Sequence, residues 1–459
     1  MSNAVTINSM NTHTLTQRSI PLHDEWDVIV VGGGPSGCTA ATSAAREGAR
    51  TLLIENTQTL GGAGTSSLVP AWCPFSDREK IIYRGLAENV LQKSKEGSSH
   101  IAPDALDWVP IDPEKLKRIY DEMVISSGAS VLFQTSLAAV EKSADRGVDC
   151  LIVSNKEGLS AYRAKVYIDC TGDGDLAAWA GAEFQKGGKN GELQHSTLCF
   201  VLSNVNDEAY AKMPRLHPQN KDSVIYDILN SGKYPLIPDF HICDNTIGPG
   251  TVGFNAGHEY NVDNTDPATV SRAVIEGRKI AAAYRDALAE FVPDVFGNAF
   301  LVSTAATLGI RETRRIIGNY VLTLDDYLQR RSFPDEICRN AYFIDVHVTL
   351  KDEAAHSHES HLNTEKRAMR YNPGESHGIP YRCLTPKGLK NVIVAGRCVS
   401  TDRLVQGSTR VMPVCLAMGE AAGMAAAHAL QHHANDVHMV DTNRLRKRLI
   451  EEGAYLPES

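Results

Sequence analysis

The stretch Trp26-Asp-Val-Ile-Val-Val-Gly-Gly-Gly-Pro-Ser-Gly37 decides the fold of this 459-residue chain. Its first half is apolar and β-branched, which predicts a buried parallel strand. The Ala-rich stretch after it, Cys38–Arg46, predicts a helix. Gly32 permits the tight turn between them, Gly34 lets the backbone approach a pyrophosphate, and Gly37 lets helix and strand pack closely. The pattern therefore predicts a dinucleotide-binding βαβ unit.

The turn and the strand that follows it supply the nucleotide contacts. Pro35 and Ser36 begin the helix, whose N-terminus offers free N–H groups and a positive dipole end to phosphates. Arg50–Ile54 predicts a second strand that ends in Glu55. An acid at this strand end hydrogen-bonds a ribose hydroxyl and repels a 2′-phosphate. We assign Glu55 and its neighbour Asn56 to the nucleotide site.

A second glycine loop, Gly61-Gly-Ala-Gly-Thr65, distinguishes FAD from NAD. NAD dehydrogenases more often continue here with an ordinary alternation of helices and strands. Flavoproteins lay such a loop along the pyrophosphate and the flavin. FAD is therefore the expected cofactor, with Gly62, Ala63 and Thr65 among its contacts.

Short strand-like runs separated by polar turns follow, and they resemble the β-meander inserted in FAD domains. They are Val131–Phe133, Ala138–Lys142, Cys150–Ser154 and Tyr162–Lys165. The next strand begins at Val166 and ends in Thr171-Gly-Asp173, which resembles the second nucleotide-contact motif of flavoproteins. Asp173 is assigned to the cofactor. Asp175 suits the N-cap of a helix over Leu176–Ala180 at least as well as a ligand role.

The chain returns to the cofactor near its C-terminus. Asn391-Val-Ile-Val-Ala-Gly-Arg397 predicts another buried strand, and Gln406–Pro413 leads into a helix over Val414–Leu430 that is rich in small residues. Those residues predict close approach to the sheet, and the helix N-terminus suits the electron-rich edge of a reduced flavin. The cofactor contacts expected from this segment are Gly396, Arg397, Arg410, Met412 and Pro413.

These motifs resemble the FAD-dependent oxidoreductases related to the fumarate reductase and succinate dehydrogenase flavoproteins. The similar stretches are Asp27–Gly37, Asp169–Gly181, Gly309–Thr323, Ile344–His347 and Tyr381–Ala427. The resemblance implies FAD and a Rossmann-type domain built from both chain ends. The flavin-linking histidine of those relatives has no counterpart near Thr65-Ser-Ser67, so non-covalent FAD is expected; Cys73, just beyond, is interpreted as a packed thiol.

The expected fold class is α/β, with a Rossmann-type FAD-binding domain (parallel sheet plus β-meander) and an inserted α+β substrate domain. We expect a mobile leader at 1–23, the first part of the FAD domain at 24–183, the inserted domain at 184–380 and the C-terminal part at 381–459. Within the insert, Ser196–Leu202 predicts a strand. Asp266 and Pro267 predict the start of a helix that ends near Phe291.

Catalysis by a flavin needs one nearby group that moves a proton. His347, which Asp345 can orient, is the first candidate and His258 the second; either can instead be a satisfied buried residue. Arg311 and Arg314 lie in a charged run that is either a solvated face or a source of bidentate contacts to a substrate carboxylate or the flavin. No metal is expected, because His356, His358 and His361 are interpreted as part of a polar loop.

Composition excludes several other classes. The net charge of −9 argues against nucleic-acid binding. No stretch is expected to cross a membrane, and the N-terminus does not resemble a secretory signal, so cytoplasmic residence is the default expectation. The ten cysteines contain no C-x-x-C pair, which argues against zinc ribbons, iron–sulfur clusters and dithiol redox pairs.

The sequence thus predicts an FAD-dependent oxidoreductase that transfers a hydride between flavin N5 and a small polar organic substrate. The sequence does not identify the electron acceptor, and it leaves open whether the protein forms a homo-oligomer. One alternative is an aromatic hydroxylase, which usually carries Gly-Asp where this chain has Gly396-Arg397. The other is a flavin-fold protein that binds a ligand without turnover.

Overall fold

The computed structural model describes residues 13–188, 191–347, 369–432 and 434–457. The strands are β1 (Leu22–Val31), β2 (Thr51–Ile54), β3 (Ser130–Leu132), β4 (Ser136–Lys142), β5 (Val148–Asn155), β6 (Gly158–Asp169), β7 (Phe184–Lys186), β8 (Ser196–Thr197), β9 (Phe200–Ser203), β10 (Ile242–Gly248), β11 (Thr251–Ala256), β12 (His258–Glu259), β13 (Phe300–Thr304), β14 (Arg314–Ile316), β15 (Glu336–Asn340), β16 (His377–Pro380) and β17 (Val392–Val394). The helices are α1 (Pro35–Arg46), α2 (Leu86–Lys95), α3 (Pro113–Ser126), α4 (Asp175–Trp179), α5 (Asp207–Lys212), α6 (Val224–Ser231), α7 (Pro267–Phe291), α8 (Pro293–Phe296), α9 (Leu324–Leu328), α10 (Arg403–Thr409), α11 (Met412–His432) and α12 (Thr442–Glu451).

A seven-stranded sheet forms the centre of the FAD-binding half. Strands β3, β2, β1 and β6 pair in that order and run parallel, and β17 adds to β6, also parallel. Val31 therefore lies level with Ile54 on one side and Asp169 on the other. Because parallel strands end at the same edge, the loops after β1, β2, β6 and β17 meet there, where ligands of such sheets bind.

The β-meander is confirmed, with one change in its members. β4, β5 and the first half of β6 form the antiparallel part, whereas β3 pairs with β2 in the parallel part. The two runs predicted as separate strands around Lys165 are one strand, β6. Its first half pairs with β5, and its second half pairs with β17. Lys165 is exposed, but the parallel pairing with β1 continues on both sides of it, so no turn interrupts the strand.

Helix α11 is the core of this half of the molecule. Its small residues were expected to approach the sheet, but their closest approach is to α1: a Cβ on Gly419 would lie 2.1 Å from the carbonyl oxygen of Ser36. Met412–Gln431 is long and apolar enough to cross a membrane, so the expectation that no such stretch exists is wrong by length and composition. However, 94% of it is buried inside the protein, as in a core helix.

A second, antiparallel sheet in the order β10-β11-β9-β13 carries a separate hydrophobic core with α7. This is the predicted α+β insert, and α7 starts at Pro267 with the Asp266 carboxylate capping the Ala268 N–H. The predicted strand over Ser196–Leu202 is broken into β8 and β9. The buried apolar residues from Leu322 to Ile344 and from Tyr371 to Ile379 belong to the first core rather than the second. We therefore propose that the insert ends before Leu322, earlier than residue 380.

The buried carboxyl of Glu420 on α11 should make stability fall with pH. It accepts a hydrogen bond from the Leu86 N–H, yet burial raises its pKa to about 7. The pKa of Glu420 is higher in the folded than in the unfolded protein. Its contribution to the free energy of unfolding is therefore fully present below the pKa of the unfolded state and is lost as the pH rises toward 7. Glu420→Gln should therefore be more stable than wild type at pH 8 by up to about 3 kcal/mol, and by much less at pH 5.

Urea unfolding of both proteins at the two pH values measures this difference. Glu141→Gln, at an exposed glutamate of β4, is the control and should change stability equally little at both. A Glu420→Gln effect that is the same at pH 5 and pH 8 would show that the carboxyl is not titrating in this range.

Candidate functional site

A cleft of about 1930 Å³ begins at the carboxyl edge of the central sheet and extends to the second sheet. It is larger than the roughly 300–1,000 Å³ of most ligand sites. The glycine turn after β1 lines one end, and His241 and His347 line the other. The cleft therefore has room for a large cofactor and a second, smaller molecule.

The glycine turn has the geometry of a phosphate cradle. Gly32 has φ +97°, and a Cβ there would lie 2.5 Å from the carbonyl oxygen of Cys170. A Cβ on Gly37 would lie 1.8 Å from the carbonyl oxygen of Gly32, so the turn and α1 are in direct contact. By contrast, a Cβ on Gly34 would meet no atom within 4 Å, although Gly34 lines the cleft. The space beside Gly34, at the N-terminus of α1, fits a pyrophosphate.

Glu55 is fixed by the backbone around it. Its carboxylate accepts hydrogen bonds from the Gly33 N–H at 2.6 Å and the Thr57 N–H at 2.7 Å. Glu55 and Asn56 both line the cleft next to the turn, where a ribose would follow a pyrophosphate.

The second glycine loop forms a turn of 3₁₀-helix over Gly62–Gly64. Gly62 and Ala63 line the cleft. Thr65 does not, because its buried hydroxyl donates to the carbonyl oxygen of Leu60 at 2.7 Å. Thr65 therefore holds the loop in shape rather than facing a ligand.

Asp173 and Arg397 form an ion pair on the cleft wall, with 2.9 Å between Oδ1 and the guanidinium. Burial alone would raise the pKa of Asp173, but Arg397 and hydrogen bonds from Thr313 and Asn264 lower it below its ordinary value. Gly396 lies behind the wall, where a Cβ would meet the Ser36 hydroxyl at 2.4 Å.

The neighbouring Asp175 does not cap α4, because Gly174 is the N-cap. Its carboxylate instead pairs with Arg314 at 2.7 Å. Arg314 also donates to the carbonyl oxygen of Asp173 and lies over the ring of Phe184. These contacts keep Arg314 out of the cleft wall, contrary to the expectation that it reaches a substrate.

The segment before α11 joins the two halves of the cleft. Arg410 and Met412 line it, and Pro413 lies behind them in the first turn of α11. Arg410 donates to the carbonyl oxygen of Asp345 at 2.8 Å and to its carboxylate at 3.0 Å. The arginine thereby connects the flavin side of the cleft to the segment that carries His347.

The two candidate histidines lie together at the far end of the cleft. Nε2 of His258 is 2.8 Å from Nδ1 of His347. The outer nitrogen of each ring faces a carboxylate: Asp239 is 2.7 Å from Nδ1 of His258, and Asp345 is 3.6 Å from Nε2 of His347. Tyr260 donates a second hydrogen bond to Asp239 at 2.6 Å. The result is a chain of polar groups that can exchange protons.

Burial controls the protonation of this chain. It lowers the pKa of His347 well below the ordinary value, and the charge of Arg311 lowers it further. Burial also lowers the pKa of His258, although Asp239 opposes the shift. The pKa of Asp345 is lowered despite burial, because the N–H of His347 and the charge of Arg410 favour its charged form. The pKa of Asp239 is also lowered despite burial, because His258 and Tyr260 donate to its carboxylate. At neutral pH both aspartates are therefore charged and His347 is neutral.

Arg311 forms the wall beside the histidines. It donates to the carbonyl oxygen of His195 and to the Thr197 hydroxyl, each at 2.9 Å, and to Asn255 at 3.3 Å. Burial, followed by the charge of Arg410, lowers its pKa to about 10, so it remains charged at neutral pH. It lines the cleft, as expected for a group that can contact a substrate.

Sequence reasoning missed His241, Asp239 and Tyr260. A ring nitrogen of His241 lies within 4.8 Å of the ligand nitrogens of His258 and His347. The sequence carried only a weak signal: the pattern Asp-x-His occurs at Asp239–His241 and Asp345–His347, but also at Asp436–His438, which does not line the cleft. The other histidine group singled out, His356, His358 and His361, lies outside the described residues.

Comparison with known proteins identifies the family. A family model described as FAD dependent oxidoreductase matches residues 27–449. Digeranylgeranylglycerophospholipid reductase of Picrophilus torridus is 29% identical over 204 residues, which cover 40% of this chain and 49% of that protein. A reductase of the same name from Methanosphaera stadtmanae is 25% identical over 166 residues, 34% of this chain and 42% of that protein. The chain thus spans about half the length of these relatives.

Solved structures whose backbone follows a similar path are more distant in sequence. A geranylgeranyl bacteriochlorophyll reductase-like protein of Thermoplasma acidophilum is 14% identical, with a TM-score of 0.47, and the match covers 94% of this chain and 85% of that one. The OxyS anhydrotetracycline hydroxylase of Streptomyces rimosus is 13% identical, with a TM-score of 0.44 and coverage of 93% and 66%.

Proposed function

Since the chain belongs to the family of FAD-dependent oxidoreductases and its cofactor is FAD, we propose that it transfers a hydride between flavin N5 and a small polar organic substrate. The observation that carries this proposal is the single cleft that joins the glycine turn at Gly34 to the His258–His347 pair. Cofactor and substrate sites are thereby neighbours in one cavity, as hydride transfer requires.

Bound FAD supplies the hydride acceptor or donor, and the chain positions it. The backbone at Gly34 and the N-terminus of α1 would hold the pyrophosphate, and Glu55 would hold the ribose. Arg397, Arg410 and Met412 would hold the flavin end. The ion pair of Arg397 with Asp173 fixes one of these groups before FAD binds.

We propose that the FAD is bound without a covalent link to the protein. Residues 64–69 contain no histidine. The Cys73 thiol lines the cleft, but burial raises its pKa to about 12, which keeps it protonated and a poor nucleophile.

The proton that accompanies the hydride is exchanged at the histidine pair. His347 lines the cleft, and its Nδ1 faces His258, which is backed by Asp239. A proton that leaves or enters the substrate at His347 can pass to Nε2 of His258 without bulk water. Asp239 and Asp345 orient the two rings and stabilise the positive charge that forms.

A polar substrate is favoured over an isoprenoid, which the names of the curated relatives suggest. Beside the histidine pair the cleft presents the polar groups of His241, Asn255, Arg311, Asp345 and His347, although apolar side chains also line it. The charged guanidinium of Arg311 lies on this wall and can donate hydrogen bonds to a substrate carboxylate or hydroxyl. We further propose that, within this family, the chain is related to the fumarate reductase flavoproteins. Such a relationship agrees with a small polar substrate.

Anaerobic reduction of the bound flavin tests the proposal. Oxidised holoprotein is mixed with alcohols, hydroxy acids, amines and saturated acids, and photoreduced holoprotein with the corresponding carbonyl and unsaturated compounds. We expect one pair to change the oxidation state of the flavin stoichiometrically. If only oxygen with an aromatic substrate reoxidises the flavin, the protein is a hydroxylase. A flavin that dithionite reduces but that reacts with no compound would instead support binding without turnover.

A further inference from the structure

We propose that His241, His258 and His347 bind a divalent transition-metal ion of the zinc class at the end of the cleft. Each offers one ring nitrogen, and the three nitrogens lie within 4.8 Å of one another. The residues come from three separate segments of the chain, so the fold rather than local sequence brings them together. His241 and His347 line the cleft, which gives an ion an entry path.

The hydrogen bonds of the pair point to a cation between the rings. Asp239 is placed to accept the Nδ1 proton of His258, and Asp345 faces Nε2 of His347. When each ring keeps its proton on the side of its carboxylate, two lone pairs face each other at 2.8 Å. In this tautomer a proton or a metal ion between the nitrogens is needed, whereas a proton on Nδ1 of His347 gives an ordinary N–H···N hydrogen bond instead.

His241 favours the metal ion over the proton. A proton bridges two nitrogens, whereas a third imidazole within reach completes the three-histidine set of catalytic zinc sites. In addition, Nδ1 of His241 is buried and has no hydrogen-bond partner among the described residues, so the protein does not fix the proton on that ring. The His241 and His258 rings are also close, with centroids 4.1 Å apart.

The surroundings resemble the outer shell of a metal site. Histidine ligands commonly donate their other N–H to a carboxylate, which orients the ring and raises its basicity. Asp239 has this position behind His258 and is itself held by Tyr260. Asp345 has it behind His347 at a longer distance.

The charges limit the affinity and indicate what completes the coordination. Asp239 lies behind His258 at 2.7 Å, and Asp345, behind His347, pairs with Arg410 at 3.0 Å, which offsets its charge. An ion with three histidine ligands keeps a position open toward the cleft. We therefore expect weaker binding than in a structural zinc site, and an anionic fourth ligand such as hydroxide or a substrate oxygen.

Binding requires the rings to move. Two nitrogens on one tetrahedral zinc ion, each about 2.0–2.1 Å from it, are about 3.3 Å apart. The His258 and His347 nitrogens at 2.8 Å must therefore separate by about half an ångström, and the His241 nitrogen, within 4.8 Å of the others, must approach by up to about 1.5 Å. Use of the ion in turnover rests on the proposed function, since its bound water would then exchange the substrate proton; the binding itself does not.

Calorimetric titration of the FAD-loaded, chelator-treated protein with Zn²⁺ tests the proposal. The parent protein carries His356→Ala, His358→Ala and His361→Ala, because that histidine-rich stretch can bind zinc by itself. We expect one ion per chain, confirmed by metal analysis after desalting. His241→Ala should weaken binding at least tenfold, and Asp239→Asn by about 10–100-fold. His217→Ala, at another histidine of the cleft, should bind like the parent.

The flavin absorbance of each variant reports whether the protein is folded. Either of two results would overturn the proposal: a flavin-loaded parent that binds no zinc, or a His241→Ala variant that binds as tightly as the parent. Because no substrate is present, a protein that fails this test can still reduce its flavin with a substrate, so the proposed function is tested separately.

Discussion

Gly34→Val is expected to abolish FAD retention and to leave the apoprotein folded. Gly34 has φ −70° and ψ −174°, an extended conformation that valine adopts, and a Cβ there meets no atom within 4 Å. The side chain therefore projects into the cleft without disturbing the turn. It occupies the space in which the pyrophosphate approaches the backbone. We expect FAD binding to weaken by about 100-fold or more, measured by the flavin content of the purified protein and by titration with FAD.

Gly248→Val is the matched control. Gly248 ends β10, has no positive φ, has open space around its Cβ position and does not line the cleft. This variant should keep the flavin content of the wild type. If Gly34→Val also retains FAD like the wild type, the pyrophosphate does not lie on this turn, and our assignment of the cofactor site is wrong.

His347→Ala is expected to leave the flavin spectrum intact and to slow the substrate-driven change of the flavin by about 10²-fold or more. The ring is the member of the histidine pair that lines the cleft, and its removal leaves His258 without a path to the substrate. Rapid mixing of the variant with the reactive compound, without oxygen, measures the rate.

The control for His347→Ala is His217→Ala. His217 also lines the cleft, and its Nδ1 accepts a backbone hydrogen bond from Gln219 at 3.2 Å. Its loss should leave the rate close to that of the wild type. Equal rates in His347→Ala and the wild type would exclude His347 as the proton carrier. Equal slowing by both variants would indicate a general disturbance of the cleft.

The cofactor end of the cleft was predictable from the sequence because its geometry is local. Gly32 and Gly37 contact the same turn, and the strand on each side has a continuous apolar pattern. The return of the chain was also predictable, since Asn391–Arg397 repeats the pattern of a strand followed by glycine. The insert was recognisable as a change of pattern, with Asp266 and Pro267 marking the start of its longest helix.

The substrate end was predictable only in part, because long-range contacts build it. His258 and His347 were both candidates, but nothing in the sequence indicates that their rings touch across 89 residues. Asp239 and His241 reach the site through the packing of β10 against β11. Arg314 failed as a candidate for the same reason, since its partner Asp175 lies 139 residues away. A charged run alone does not show which side chains face a cleft.

Isotope transfer in a single turnover distinguishes hydride transfer between flavin and substrate from other flavin chemistry in this cleft. The reactive compound is prepared with deuterium on the carbon that loses the hydride, or the photoreduced flavin is equilibrated in heavy water for the opposite direction. The change in flavin absorbance is then followed in a single anaerobic turnover. We predict that deuterium on the donor carbon slows flavin reduction severalfold, and that a substrate reduced by the deuterated flavin carries deuterium on its accepting carbon. Flavin reduction that is equally fast with both isotopes, or a reduced substrate without deuterium on that carbon, would contradict hydride transfer.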